Sequence, residues 1–261
     1  MKTLLFLSVF AILFSCEPTK QNDQNAETTE EETQDPVEQE LYTITPIEHA
    51  TAVIEFDGKT IYIDPVGGIE KFTDFDKADA VLVTHTHGDH LSVETLMAIK
   101  SNETVFIVPQ AVHDELPEDL SEKIVVMENG QSGEVIDIAV DAIAMYNMRE
   151  EAKQFHPKGA GNGYVLHLGE DNVYFSGDTE DTPEMRALTD IDKAFVCMNL
   201  PYTMSVETAA EAVLAFQPNQ VYPYHYRGKG GISDVGEFKR LVEEGSENIE
   251  VIQWNWYPDG E

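Results

Sequence analysis

Four side chains of metal-binding type crowd into six residues of this chain. Thr84-His85-Thr86-His87-Gly88-Asp89-His90 holds three of the eight histidines and an aspartate. The stretch follows Ala80-Val81-Leu82-Val83, an apolar run that reads as a short buried strand. Imidazoles and a carboxylate at alternating positions of an extended loop can face one divalent ion and reach a second beside it. A lone histidine is more often a satisfied polar residue than a ligand, but four ligand types at this density are not explained that way. Gly88 is expected to relieve crowding in the loop.

Such a loop needs partners, and candidates stand at the carboxyl ends of other apolar runs. His156 lies in Phe155-His156-Pro157-Lys158-Gly159, a glycine-rich loop entering a strand. Asp178 ends Val173-Tyr174-Phe175-Ser176-Gly177-Asp178, where Gly177 permits close backbone approach and one carboxylate could bridge two cations. His225 ends Val221-Tyr222-Pro223-Tyr224-His225. Loops at strand carboxyl ends gather on one edge of a sheet and build sites there.

The rest of the pattern supplies such sheets. Residues 41–47, 51–56 and 59–65 read as consecutive strands, with Asp57-Gly58 as the turn between the last two. Residues 92–100 read as a helix capped by Ser92. Strands are expected at 104–108, 123–127, 134–140 and 141–146, and a hairpin-like pair over 163–169 and 172–178. Helical and strand patterns then alternate to residue 254. Strand-rich segments followed by this alternation suggest a layered α/β or α+β protein.

The amino-terminal part is different. Lys2 precedes an apolar stretch from Leu4 to Phe14, too short to span a bilayer but suited to a secretory signal. Leu13-Phe14-Ser15-Cys16 resembles a bacterial lipobox, which implies cleavage before Cys16 and its lipidation. Residues 1–15 are thus expected to be a signal peptide. Residues 16–40 would be a lipidated cysteine followed by an acidic, disordered spacer, and residues 41–261 the folded domain. This predicts an exported lipoprotein of the cell envelope, held to a membrane by its lipid anchor. The other cysteine, Cys197, sits in an apolar strand-like run and reads as a core residue.

The net charge is −33, and after residue 40 forty acids face fourteen bases. That surface disfavours a nucleic-acid partner. Five of those bases flank ligand motifs: Arg149, Lys153 and Lys158 near His156, and Arg227 and Lys229 after His225. They either focus an anionic substrate group at the site or merely neutralise acids such as Glu150 and Glu151.

The order His-x-His-x-Asp-His, then a histidine, then the aspartate of Ser176-Gly177-Asp178-Thr179, then His225 resembles the metallo-β-lactamase superfamily. The resemblance implies a four-layer αββα sandwich with a two-metal site at one edge. It implies His85, His87 and His156 on a first ion, Asp89, His90 and His225 on a second, Asp178 as the bridge, and Asp64 bracing the site from behind. A finer resemblance, through Glu48-His49-Ala50-Thr51, Tyr146-Asn147-Met148 and Asp178-Thr179-Glu180, is to ascorbate-6-phosphate lactonase-like proteins and N-acyl-phosphatidylethanolamine phospholipases. In that branch Tyr146 and Asn147 match a pair that lines the pocket. Its usual glycine before His49 is Glu48 here, and His49 is read as a pocket or structural residue. The diiron oxygen-reducing relatives carry an acid where this chain has His87, which argues against oxygen chemistry.

The expected activity is a hydrolase in which hydroxide bridging two divalent ions cleaves a small ester, lactone or phosphodiester. Asp89 would orient the nucleophile and carry its proton. Zinc is the expected ion, and manganese or iron(II) suits the same donors. A membrane-lipid phosphodiesterase and a non-catalytic metal-binding lipoprotein are the alternatives.

Overall fold

The computed structural model describes residues 41–258. The expected signal peptide, Cys16 and the expected acidic spacer lie outside the described residues. Six strands form the first sheet in sequence order: β1 (Tyr42–Glu48), β2 (Thr51–Phe56), β3 (Lys59–Ile63), β4 (Ala78–Leu82), β5 (Lys100–Val108) and β6 (Ile124–Val126). The first three are antiparallel, and from β3 onward neighbours run parallel. The second sheet takes β7 (Ser132–Val135), β8 (Ile138–Met145), β9 (Gly161–Leu168), β10 (Asp171–Phe175), β11 (Lys193–Cys197) and β12 (Gln220–Tyr224). A small hairpin of β13 (Arg227–Gly228) and β14 (Gly231–Ile232) follows, and β15 (Glu250–Val251) closes the sheet beside β12.

Side-chain alternation sorts the layers. In β3, Ile61 and Ile63 join the core between the sheets, while Tyr62 joins a second core on the outer face. There α1 (Val93–Ile99) and α2 (Gln110–His113) bring Leu96, Ile99 and Val112 against Tyr62, Val81 and Phe106. Ser92 caps α1 by accepting from the Thr95 N–H, a contribution of about 1 kcal/mol. Burying Leu96 and Ile99 is worth about 1.5–3 kcal/mol each, so packing decides that seven residues stay helical. On the far side, α3 (Pro183–Arg186), α4 (Val206–Phe216) and α5 (Val235–Gly245) cover the second sheet, with Ala209, Val213, Phe216, Phe238 and Val242 in its core. The order is helix, sheet, sheet, helix, as the resemblance implied.

Parallel register sets Phe175, Phe195 and Tyr222 side by side, with ring centroids 4.4 and 4.7 Å apart. Tyr224 belongs to this layer, and its hydroxyl accepts from the Gly177 N–H at 2.8 Å. The aromatic core is thereby tied to the turn that carries Asp178. Cys197 is fully buried, and burial pushes its thiol up to about 12, which fits a core residue.

One expected strand is corrected. Residues 134–140 do not run straight: Ile136 and Asp137 have φ of 48° and 61° and form a two-residue hairpin turn between β7 and β8. Such turns are ordinarily marked by Asn-Gly or Asp-Gly, and an isoleucine in the first place removes the signal. The strand expected at 141–146 is the later part of β8.

Candidate metal centre

Every ligand candidate lies in a loop that follows the carboxyl end of a strand. Thr84–His90 follows β4, His156 lies in the loop between β8 and β9, Asp178 follows β10, and His225 follows β12. The β1–β2 turn adds His49.

The centre is wired from below by a buried aspartate. Asp64, at the end of β3, accepts from the Thr84 N–H and the Thr84 hydroxyl, both at 2.7 Å, and from His90 Nδ1 at 2.7 Å. A carboxylate only accepts, so His90 carries a proton on Nδ1 and turns Nε2 to the cleft. The Thr84 hydroxyl has given its hydrogen to Asp64, so it accepts from His85 Nδ1 at 3.0 Å and leaves His85 Nε2 facing outward. Asp64 thus sets the tautomer of His90 and Thr84 that of His85, a role the sequence reading missed although Thr84 opens the motif.

The outward-facing donors converge in overlapping groups. Donor atoms of His85, His87, His156 and Asp178 all lie within 4.8 Å of one another, so do those of His90, Asp178 and His225, and so do those of His49, Asp89 and His225. His85 Nε2 is 3.1 Å from His87 Nδ1, and His225 Nε2 is 3.0 Å from His90 Nε2. Asp178 stands between the groups, with Oδ2 3.4 Å from His156 Nε2 and Oδ1 3.2 Å from His225 Nε2 and 3.5 Å from His90 Nε2. Asp89 joins the second group, Oδ2 lying 3.5 Å from His225 Nε2 and 4.0 Å from His90 Nε2. His156 Nε2 and Asp178 Oδ1 are buried and have no hydrogen-bond partner. Orphaned buried donors and acceptors are costly unless an ion completes them, and nitrogen and carboxylate donors suit divalent cations. The residues fit two such ions.

The electrostatics divide the histidines. Burial holds His85 well below its usual pKa and pushes His156 down to about 4, leaving both imidazoles neutral at pH 7. Burial also disfavours charge on His90, but Asp178 and Asp64 outweigh it and hold this group up at about 9. Burial opposes ionisation of Asp178, yet His225 and His90 hold its carboxyl below the usual range. Asp89 is likewise held low against burial, by His225 and His49.

The profile of the β-lactamase superfamily domain matches residues 43–225. The chain belongs to the metallo-β-lactamase superfamily. A UPF0173 metal-dependent hydrolase of Methanopyrus kandleri is 31% identical over 220 residues, covering 80% of this chain and 95% of that protein. A Pyrococcus horikoshii protein of the same name is 32% identical over 215 residues, 77% and 92% of the two chains. Among solved structures, a candidate metal-dependent hydrolase from Parabacteroides distasonis superposes with a TM-score of 0.73 at 36% identity, over 81% of this chain and 92% of that one.

Not every expected residue of this metallo-β-lactamase-superfamily site reaches the cleft. The Tyr146 hydroxyl donates to Glu184 at 2.9 Å and accepts from Lys158 at 3.3 Å, and Tyr146 does not line the cleft. Asn147 is buried behind His156. Its Nδ2 donates to the carbonyls of Ala152 and Tyr202 at 3.0 and 2.6 Å, and its N–H donates to the His156 carbonyl at 2.8 Å. Asn147 therefore positions the histidine loop and does not face the pocket. Gly88 is also corrected, since a Cβ there would meet nothing within 4 Å.

The cleft measures about 280 Å³ and is lined by His49, Arg227 and five of the ligand set, His87, Asp89, His156, Asp178 and His225. Phe155, Asn199 and Tyr202, which the sequence did not single out, also line it. The Leu200 carbonyl approaches Gly228 so closely that a Cβ there would stand 2.0 Å from it, which brings the Asn199–Tyr202 loop beside Arg227. His49 Nε2 is 3.2 Å from Asp89 Oδ2, and its Nδ1 is 2.8 Å from the Tyr257 hydroxyl. Burial lowers the His49 pKa, so the neutral ring donates to Asp89 through Nε2 and accepts from Tyr257 at Nδ1. Glu180, two residues past Asp178, accepts from the N–H groups of Met148 and Arg149 and fixes the start of the His156 loop. Its proximity to Asp178 in the sequence was the only signal.

Proposed function

We propose that this chain is a metal-dependent hydrolase that opens a small ester, lactone or phosphodiester at a site for two divalent ions, zinc first among those its donors suit. The carrying observation is the Asp178 carboxylate, one oxygen facing His156 and the other facing His90 and His225. Relatives at 31–32% identity that are named metal-dependent hydrolases support the reading.

Ions bound there would lower the pKa of a water they share and polarise the oxygen of the scissile bond. The chain's own residues supply the rest. Asp64 and Thr84 hold His85 and His90 in the tautomers that bind. Asp89, half-exposed at the cleft and held ionised by its neighbours, is placed to take the proton of the attacking water and return it to the leaving oxygen. One bond to carbon or phosphorus forms, one ester bond breaks, and a water is consumed. His49 holds the Asp89 carboxylate for that transfer. A 280 Å³ cleft suits a small substrate.

An export signal ending at a lipidated Cys16 would set this hydrolase in the cell envelope, a proposal that rests on the amino-terminal sequence.

The test is metal content per chain together with turnover of a panel of lactones, aryl esters and phosphodiesters. Two ions and a chelator-sensitive activity are expected. One ion or none, with turnover indifferent to chelator, would remove the reading.

A further inference from the structure

The basic residues that flank the ligand motifs divide sharply. Arg149 spends its guanidinium on Glu180 and on the carbonyls of Pro201 and Thr203. Lys153 pairs with Glu150, and Lys158 with Glu184. These three are neutralised in place. Lys229 is exposed and does not line the cleft. Arg227 lines it and is not neutralised. Its guanidinium lies 3.9 Å from the centre of the Tyr257 ring, and among the described residues it has no carboxylate partner and no side-chain hydrogen bond.

The position of Arg227 is built. Its N–H donates to the Tyr257 hydroxyl at 3.1 Å, and the residue pairs with Ile232 across the β13–β14 hairpin. Stacking on a ring engages the face of a guanidinium and leaves its N–H edges free. Those donors sit half-buried in the wall of the cleft that holds Asp89, Asp178 and the histidines. A chain of net charge −33 repels anions at long range, so an anionic substrate group needs a local cation to be held.

We propose that Arg227 is the specificity residue of the site and that the substrate carries an anionic group, a carboxylate or a phosphate, held by its guanidinium beside the scissile bond. This rests on the hydrolase reading above. Tyr257 serves as the platform of the arginine and, through its hydroxyl, as the partner of His49, so the anion contact and the Asp89 support share one ring.

The test compares wild type, R227A and R227K, each loaded with zinc, by two readouts. The first is kcat/KM on two aryl esters with one leaving group, 4-nitrophenyl acetate and mono-4-nitrophenyl succinate. R227A should lose about tenfold or more on the charged ester, the scale of one hydrogen bond to a charged group, and little on the neutral one. R227K should recover part of the loss. The second is calorimetric binding of succinate and of phenylphosphonate, which needs no turnover. At least one should bind R227A about tenfold more weakly, and which one does identifies the anion. Equal losses on both esters, unchanged binding of both anions, or zinc lost from R227A would each overturn the proposal. A wild type that turns over neither ester but loses anion binding in R227A would leave the arginine site standing and refute ester hydrolysis.

Discussion

Two loops bring histidines to the same cleft by opposite means. Thr84–His90 leaves β4 and is held at once by Asp64, whose carboxylate reaches both Thr84 and His90. The loop that ends at His156 leaves β8 and is held at a distance. Asn147 ties it to the Tyr202 carbonyl, 55 residues on, and Glu180 fixes its start from 31 and 32 residues away. In the first loop the ligands are compact and one carboxylate from the neighbouring strand holds them, and chemistry shows in the sequence. In the second the ligand is one histidine, held by Asn147 of its own loop together with the Tyr202 carbonyl and Glu180 from elsewhere in the chain.

Breaking the compact support should have the largest effect. Asp64→Ala leaves Thr84 and His90 Nδ1 without their acceptor, and zinc affinity should fall about 10–100-fold, as competition with a chromogenic chelator would measure. Unchanged affinity would mean that Asp64 does not set the His90 tautomer.

The pH response sharpens the contrast, because His90 of the first loop and His156 of the second titrate in opposite senses. His156 is pushed down to about 4, so between there and 6.5 the unfolded chain binds more protons, and stability of the metal-free protein rises with pH. His90 is held up at about 9, so its contribution is full below 6.5 and is lost as pH rises through 9. Thermal midpoints of chelated protein should therefore peak near pH 6.5. Zinc must displace the His90 proton, so its affinity should climb by up to about tenfold per pH unit until pH 9. A midpoint that rises steadily from pH 5 to 9 would contradict this division.

Cutting the distant support should cost stability first. Asn147→Ala strands two carbonyls and should lower unfolding free energy by about 1–3 kcal/mol, read by urea denaturation. Asn147→Ala should also loosen His156, lowering zinc affinity by less than Asp64→Ala does. Tyr146→Phe marks the small end. It removes only the hydroxyl contacts to Glu184 and Lys158, so stability should shift by less than about 1 kcal/mol and turnover should hold. A large fall in turnover would return Tyr146 to the pocket.

The same contrast explains what was legible in the sequence. Strand ends were legible because apolar runs stop abruptly before Thr84, Asp178 and His225, and the ligands were legible because their side-chain types have few other reasons to cluster. Tyr146 and Asn147 misled because they stand just past the end of β8, and a sequence does not say whether side chains there face the cleft or pack behind it. Tyr257 was invisible because its partner His49 stands 208 residues earlier. Arg227 looked no different from Arg149 until the partner of each could be seen, Glu180 for Arg149 and the Tyr257 ring for Arg227.

The ligand candidates come from both sheets: His85, His87 and His90 follow a strand of the first, whereas His156, Asp178 and His225 follow strands of the second. An ion seated among them would be a rivet through two plates, opposing any slip of one sheet across the other. Resistance to heat would then depend on the metal outside the protein, gaining about 2.7 kcal/mol when free ion stands at a hundred times its dissociation constant. Starved of metal, such a protein would lose its chemistry and its stiffness together.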